Sequence, residues 1–144
     1  MPKDESRRSS PRASPTVWYS YAIIRVVPRV ERGECLNAGA VVFAPEARYL
    51  EARVELDPAR LGALAPEADV ALIERHLQAF VATCSGAADG GPIAALPPSA
   101  RFHWLTAPRS TMIQTSPAHT GRGTDLDDAI EQLMDGFVRV MRDA

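Results

Sequence analysis

The chain is 144 residues long, 46% hydrophobic and 24% charged, and its 16 basic and 18 acidic residues give a formal charge of −2. This is the composition of a globular chain able to bury a core, and it lacks the global basic field that drives non-specific nucleic-acid binding, which argues against a nucleic-acid partner. No apolar run approaches the roughly 20 residues that span a bilayer and the first residues lack the apolar stretch of a signal peptide, so a cytoplasmic protein without membrane contact is expected.

Residues 1–16, MPKDESRRSSPRASPT, hold three prolines, four serines and charges of both signs but almost nothing that can be buried, and they are expected to form a disordered tail. One domain is expected over 17–144. "VWYSYAIIRVV" from Val17 is apolar on both alternating faces, the pattern of an interior strand covered on both sides. Pro28 ends it. "CLNAGAVVFA" is a second strand, in which Ala38, Gly39 and Ala40 allow another backbone or a ligand to come close. "RYLEARVEL" alternates, with Leu50, Ala52, Val54 and Leu56 on one face and Glu51, Arg53 and Glu55 on a wet one. Short links between three successive strands favour an antiparallel meander.

Asp57 before Pro58 signals a helix start, so "DPARLGAL" reads as a short helix ending before Pro66. A longer helix is expected over 67–84, with Val70, Ile73, Leu77, Phe80, Val81 and Cys84 on one stripe. "SGAADGGP" ends it. "ARFHWLT" and "STMIQT" read as two further short strands; in the first, Arg101 and His103 share one face, and in the second, Met112 and Gln114 do. The final helix is capped by Thr124 and carries Leu126, Ile130, Leu133, Met134, Phe137, Val138 and Met141 inward. The order gives an α+β fold, a mostly antiparallel sheet with helices packed on one face.

Cys35 and Cys84 form no C-x-x-C pair and both sit among apolar neighbours, which predicts reduced, buried thiols. His76, His103 and His119 have no metal-ligand spacing, and no motif asks for a cofactor. Two polar groups invite a site. Arg25 lies inside an apolar strand and must reach a sheet edge, pair with a carboxylate such as Glu34, or point into a polar pocket, while Asn37 follows nearby, where its amide can serve backbone groups or a ligand. In the other block Arg101 and His103, then Arg109 and Ser110, Gln114, and finally His119 and Thr120 could converge on an anion. Asp125, Asp127 and Asp128 already complement the last helix's N-terminus and argue against an anion there. No G-x-S-x-G elbow surrounds Ser110 or Ser116.

The blocks "YAIIRVVPRVERGECLNAGAVVFAP" and "RFHWLTAPRSTMIQTSPAHTG" together resemble a family of small bacterial proteins known only as domain of unknown function 3037. The likeness rests on Tyr21, Arg25, Pro28, Glu34, Asn37, Gly39 and Phe43 in the first block and on Arg101, Arg109, Ser110, Gln114, Ser116, Pro117, His119 and Thr120 in the second. No activity comes with the resemblance. It implies frequent genomic pairing with a HipA-like kinase protein. The reading that follows is an accessory or interaction module, partnered by that kinase-like protein, whose surface at Arg25, Asn37, Arg101, His103, Arg109, Ser110, Gln114, His119 and Thr120 receives an acidic or phosphorylated group. A second reading is a small enzyme acting on a phosphorylated or nucleotide substrate with His119 as general acid/base; it requires His103 or His119 close to Arg109 or a serine in one concave pocket.

Overall fold

The computed structural model describes residues 15–140. The disorder expected for 1–16 therefore falls almost entirely outside the described residues, as does the inward position expected for Met141. Among the described residues no helix is long and apolar enough to cross a membrane.

Strands β1 (Val17–Val26), β2 (Leu36–Ala44) and β3 (Tyr49–Val54) form the expected antiparallel meander. Two shorter strands, β4 (Ile113–Thr115) and β5 (His119–Gly123), share the other side of β1: β4 pairs with Ile24–Val26 and β5 with Val17–Tyr21. Between them Ser116 continues the pairing, its N–H donating to the Ile23 carbonyl at 2.9 Å while its Oγ accepts from the Ile23 N–H at 2.9 Å. Pro117, which has no N–H to give, follows at the break. The residues His119–Gly123 form a strand because their backbone completes the ladder of β1, whatever their low apolar content.

β1 and β2 are apolar on both faces, and both faces are covered. On one, Ala22, Ile24, Val26, Leu36, Ala38, Val41 and Phe43 pack under three helices, α1 (Pro58–Leu64), α2 (Val70–Ser85) and α3 (Pro98–Thr106), through Leu61, Ile73, Leu77, Phe80, Cys84, Phe102 and Leu105. On the other, Ile23, Ala40 and Val42 pack under the last helix, α4 (Leu126–Leu133), through Ile130, Leu133, Met134 and Val138. The α+β class and the antiparallel sheet stand, but the helices do not lie on one face. A sheet whose central strands are apolar on both sides needs a second cover, and α4 supplies it.

The expected caps hold for Asp57, whose carboxylate accepts from the Ala59 and Arg60 N–H groups. α2 starts three residues later than expected, at Val70, because Asp69 caps it through the Leu72 N–H. α4 is capped by Asp125, accepting from the Asp128 N–H, and not by Thr124. Beyond α4 the backbone widens into a single π turn, Met134–Val138. The turn keeps Met134 and Val138 inward and turns Phe137 outward, 49% exposed, against expectation.

"ARFHWLT" is helix α3, not a strand. Pro98 at its first turn is preset for a helix start. The buried pair Phe102 and Leu105 follows helical spacing, and the Thr106 hydroxyl donates to the Phe102 carbonyl one turn back. The alternation of Phe102 and Trp104 that mimics a strand is broken by Trp104 itself, which is exposed. The wet face of β3 is as expected polar and partly exposed, and α4 lies against it. Arg53 pairs with Glu51 at 2.6 Å and with Glu131 and Asp127 of α4, so the polar residues there seat a helix while staying partly exposed to water.

Candidate functional site

The two polar blocks meet along β1, with Arg25 directly opposite Asn37 on β2 and directly opposite Gln114 on β4. Cross-strand partners project to the same face, so these three side chains stand together on the side of the sheet that α4 covers, beside its C-terminal turn. A β-bulge between Ile24 and Arg25 lets Ala38 join the other core while Asn37 turns to this face. The amides are engaged: Asn37 Nδ2 donates to the Phe137 carbonyl at 3.0 Å, and Gln114 Nε2 donates to the Thr111 carbonyl at 2.8 Å. Asn37 thus serves a backbone group, an orphan carbonyl of the last turn.

Arg25 is different. Its Nε is buried and has no hydrogen-bond partner, and among the described residues no carboxylate pairs with it. The ion pair with Glu34 is not formed, because Glu34 sits in the 29–34 turn and is held by Arg32 at 2.8 Å, which keeps its carboxyl below the usual range. A guanidinium half-buried in a strand without a counter-charge is costly to keep.

Four residues along β1 from Arg25, about 13 Å at strand rise, Tyr21 stands opposite His119 with ring centroids 5.6 Å apart. Tyr19 follows, 6.1 Å from Tyr21, with its ring over Gly121. A side-chain carbon at Gly121 would lie 2.5 Å from Tyr19 Cζ, so glycine is needed there to seat the ring. Burial, and then the neighbouring Tyr21, raise the Tyr19 phenol above its ordinary value of 10.0 and hold it neutral. Ser20 faces Thr120, which puts Thr120 on the opposite side of the sheet from His119.

The remaining expected residues lie on the side of α1–α3. Arg101 is structural: its Nε donates to the Cys84 carbonyl at 3.2 Å and its Nη1 to the Leu96 carbonyl at 2.6 Å, closing the end of α2. His103 does not share a face with it, since two residues in a helix are about 200° apart; it is exposed, with Nδ1 2.9 Å from the Ser99 carbonyl. Arg109 stacks on Trp104 with its guanidinium carbon 4.3 Å from the ring centroid, and Nε and Nη2 donate to the Ala107 and Trp104 carbonyls. Ser110 is exposed in the link that follows.

The expected convergence of Arg101, His103, Arg109 and His119 therefore does not occur. His119 and Arg109 are on opposite faces of the sheet, and the buried Ser116 hydroxyl is committed to Ile23 and Pro117. A concave pocket joining a histidine to Arg109 does exist, but its histidine is His76 of α2, which sequence reasoning passed over for want of metal-ligand spacing. Its position one turn from Phe80 on the helix was the available signal.

A model of the family described as Protein of unknown function (DUF3037) matches residues 21–138. Searches of curated proteins and of solved structures found no match.

Proposed function

We propose, for a chain that belongs to the DUF3037 family, a non-catalytic accessory role in the cytoplasm, in which the β1 face around Arg25 receives an acidic or phosphorylated segment of a HipA-like kinase protein. The observation that carries this reading is Arg25, whose buried Nε lacks an acceptor and which pairs with no carboxylate among the described residues. Asn37 and Gln114 flank it, each with one amide N–H already engaged, so Arg25 is the charged donor there for an incoming anion. Ile23, between Arg25 and Tyr21, is buried under α4, so an incoming acidic segment would meet Arg25 beside the C-terminal turn of α4 without running on to the Tyr21 and His119 rings. The kinase-like partner comes from the family resemblance, and the acidic chemistry comes from the charge of Arg25.

The second reading, an enzyme with His119 as acid/base, finds no support in the site. His119 stacks on Tyr21 away from Arg109, and the nearby Ser116 hydroxyl holds the backbone.

The test is titration calorimetry of the full chain with the kinase-like protein, once phosphorylated and once phosphatase-treated. Binding is expected to favour the phosphorylated form, to weaken as salt is raised, and to fall about tenfold or more in Arg25→Gln. Arg75→Gln, on the exposed side of α2, should bind like the parent. Equal binding by Arg25→Gln, with its fold verified by circular dichroism, would remove the site; no binding by either form would remove the partner.

A further inference from the structure

On the other side of the sheet from Arg25, α2, α3 and the approach to β4 enclose a cleft of about 370 Å³, within the size range of small-ligand pockets. Its floor is apolar, formed by Ala79, Phe80, Leu105, Met112 and Ile113, and its polar groups are His76, Thr83, Arg109 and Thr111. Among the described residues no carboxylate lines it. The rim cation is held in place: Arg109 Cζ sits 4.3 Å from the Trp104 ring centroid, and two of its three nitrogens donate to carbonyls at the end of α3. That leaves Nη1 without a partner among the described residues, on a guanidinium whose orientation is already set. An oriented cation loses little freedom on binding an anion, and its stacking on Trp104 keeps it beside an apolar floor instead of in open water.

From this geometry we infer that the cleft binds a small carboxylic acid with an apolar body, an arylalkyl or alkyl acid, whose carboxylate meets Arg109 Nη1 while its body rests on Phe80, Leu105 and Met112. This goes beyond the proposed partner site, which lies across the sheet and uses none of these residues. A fully apolar ligand would leave Arg109 unanswered, and a polar anion such as free phosphate would leave the floor exposed; an amphiphilic acid satisfies both.

The probes are 3-phenylpropionate, its neutral analogue 3-phenylpropionamide, and inorganic phosphate, each titrated into the full chain while the Met112 and Ile113 methyl signals are followed by carbon-13 NMR. The acid is expected to shift both methyls with saturation. The amide and phosphate should bind at least about tenfold more weakly. Arg109→Gln should reduce the acid to the level of the amide, and Ala79→Trp, which fills the cleft from an exposed helix position, should abolish the shifts without touching the core. Equal binding of acid and amide, an unchanged acid affinity in Arg109→Gln, or methyls that stay still throughout the titration would overturn the inference. Saturating shifts with phosphate alone would replace it with a plain anion site.

Discussion

Gly39 and Ser116 show how far single residues hold the sheet together. A side-chain carbon on Gly39 would sit inside contact distance of the Arg53 carbonyl oxygen on β3 and 3.1 Å from Ile24 Cδ1; the backbone that comes close at this small residue is the neighbouring strand. Gly39→Ala is expected to cost about 3 kcal/mol, as overpacking against backbone does, seen as a lower urea midpoint with an unchanged slope. A loss under about 0.5 kcal/mol would mean that β3 yields more easily than the structure implies. Ser116→Ala leaves the buried Ile23 N–H without its acceptor, a loss of about 1–3 kcal/mol measurable in the same way. At the cysteines, burial pushes the Cys84 thiol up to about 12, whereas Cys35 is exposed and free, against the expectation that both are buried. Ellman's reagent should therefore find one thiol in the native chain and two in denaturant; two fast thiols would contradict the packing of α2 on the sheet.

Among the elements, α4 depends most on charge. Its apolar side fills the second core, but its polar side meets β3 through Arg53 and Arg139, which share Glu131 at 2.5 and 2.8 Å; Arg139 also reaches Glu55 and Asp135. Hydrogen bonds from Arg139, then from Arg53, hold the Glu131 carboxyl below its ordinary value of 4.5. A carboxylate depressed by folding adds stability above its ordinary pKa and gives it up as pH falls through the depressed value. The melting temperature should thus drop as the pH goes below 4.5, and Glu131→Gln should flatten that drop while lowering stability near neutral pH. An acid profile identical to the parent's would show that the network does not seat α4. Because the pairs are partly exposed, added salt should weaken them too.

At the scale of the whole molecule, the sheet separates two surfaces that the chain order interleaves. The run from Arg109 to His119 crosses from one side to the other, so Arg109 works with α2 and α3 while Gln114 and His119 work with β1. Substitutions at Arg25 and at Arg109 should accordingly be independent, with free energies of binding that add in the double variant; strong coupling between them would argue for one continuous site. The calorimetric and NMR titrations above provide both measurements.

Much of this was legible in the residues themselves. The two-faced apolar pattern of β1, the alternation of β3, the Asp57–Pro58 helix start and the stripes of α2 and α4 follow from periodicity and capping, which act within a few residues of chain. The same local signals misread α3, where alternating aromatics outweighed the Pro98 start, and missed β5, where the ladder of β1 decides the conformation and side-chain preference does not. Which face each helix covers was also beyond local pattern, because a chain with apolar residues on both sides of its central strands states the need for two covers without saying which helix goes where. Likewise the sequence could offer Arg25, Asn37, Gln114 and His119 as polar residues in awkward places, but strand register alone put Arg25 between two amides, and only the opposite placement of Arg109 divided one expected pocket into two surfaces.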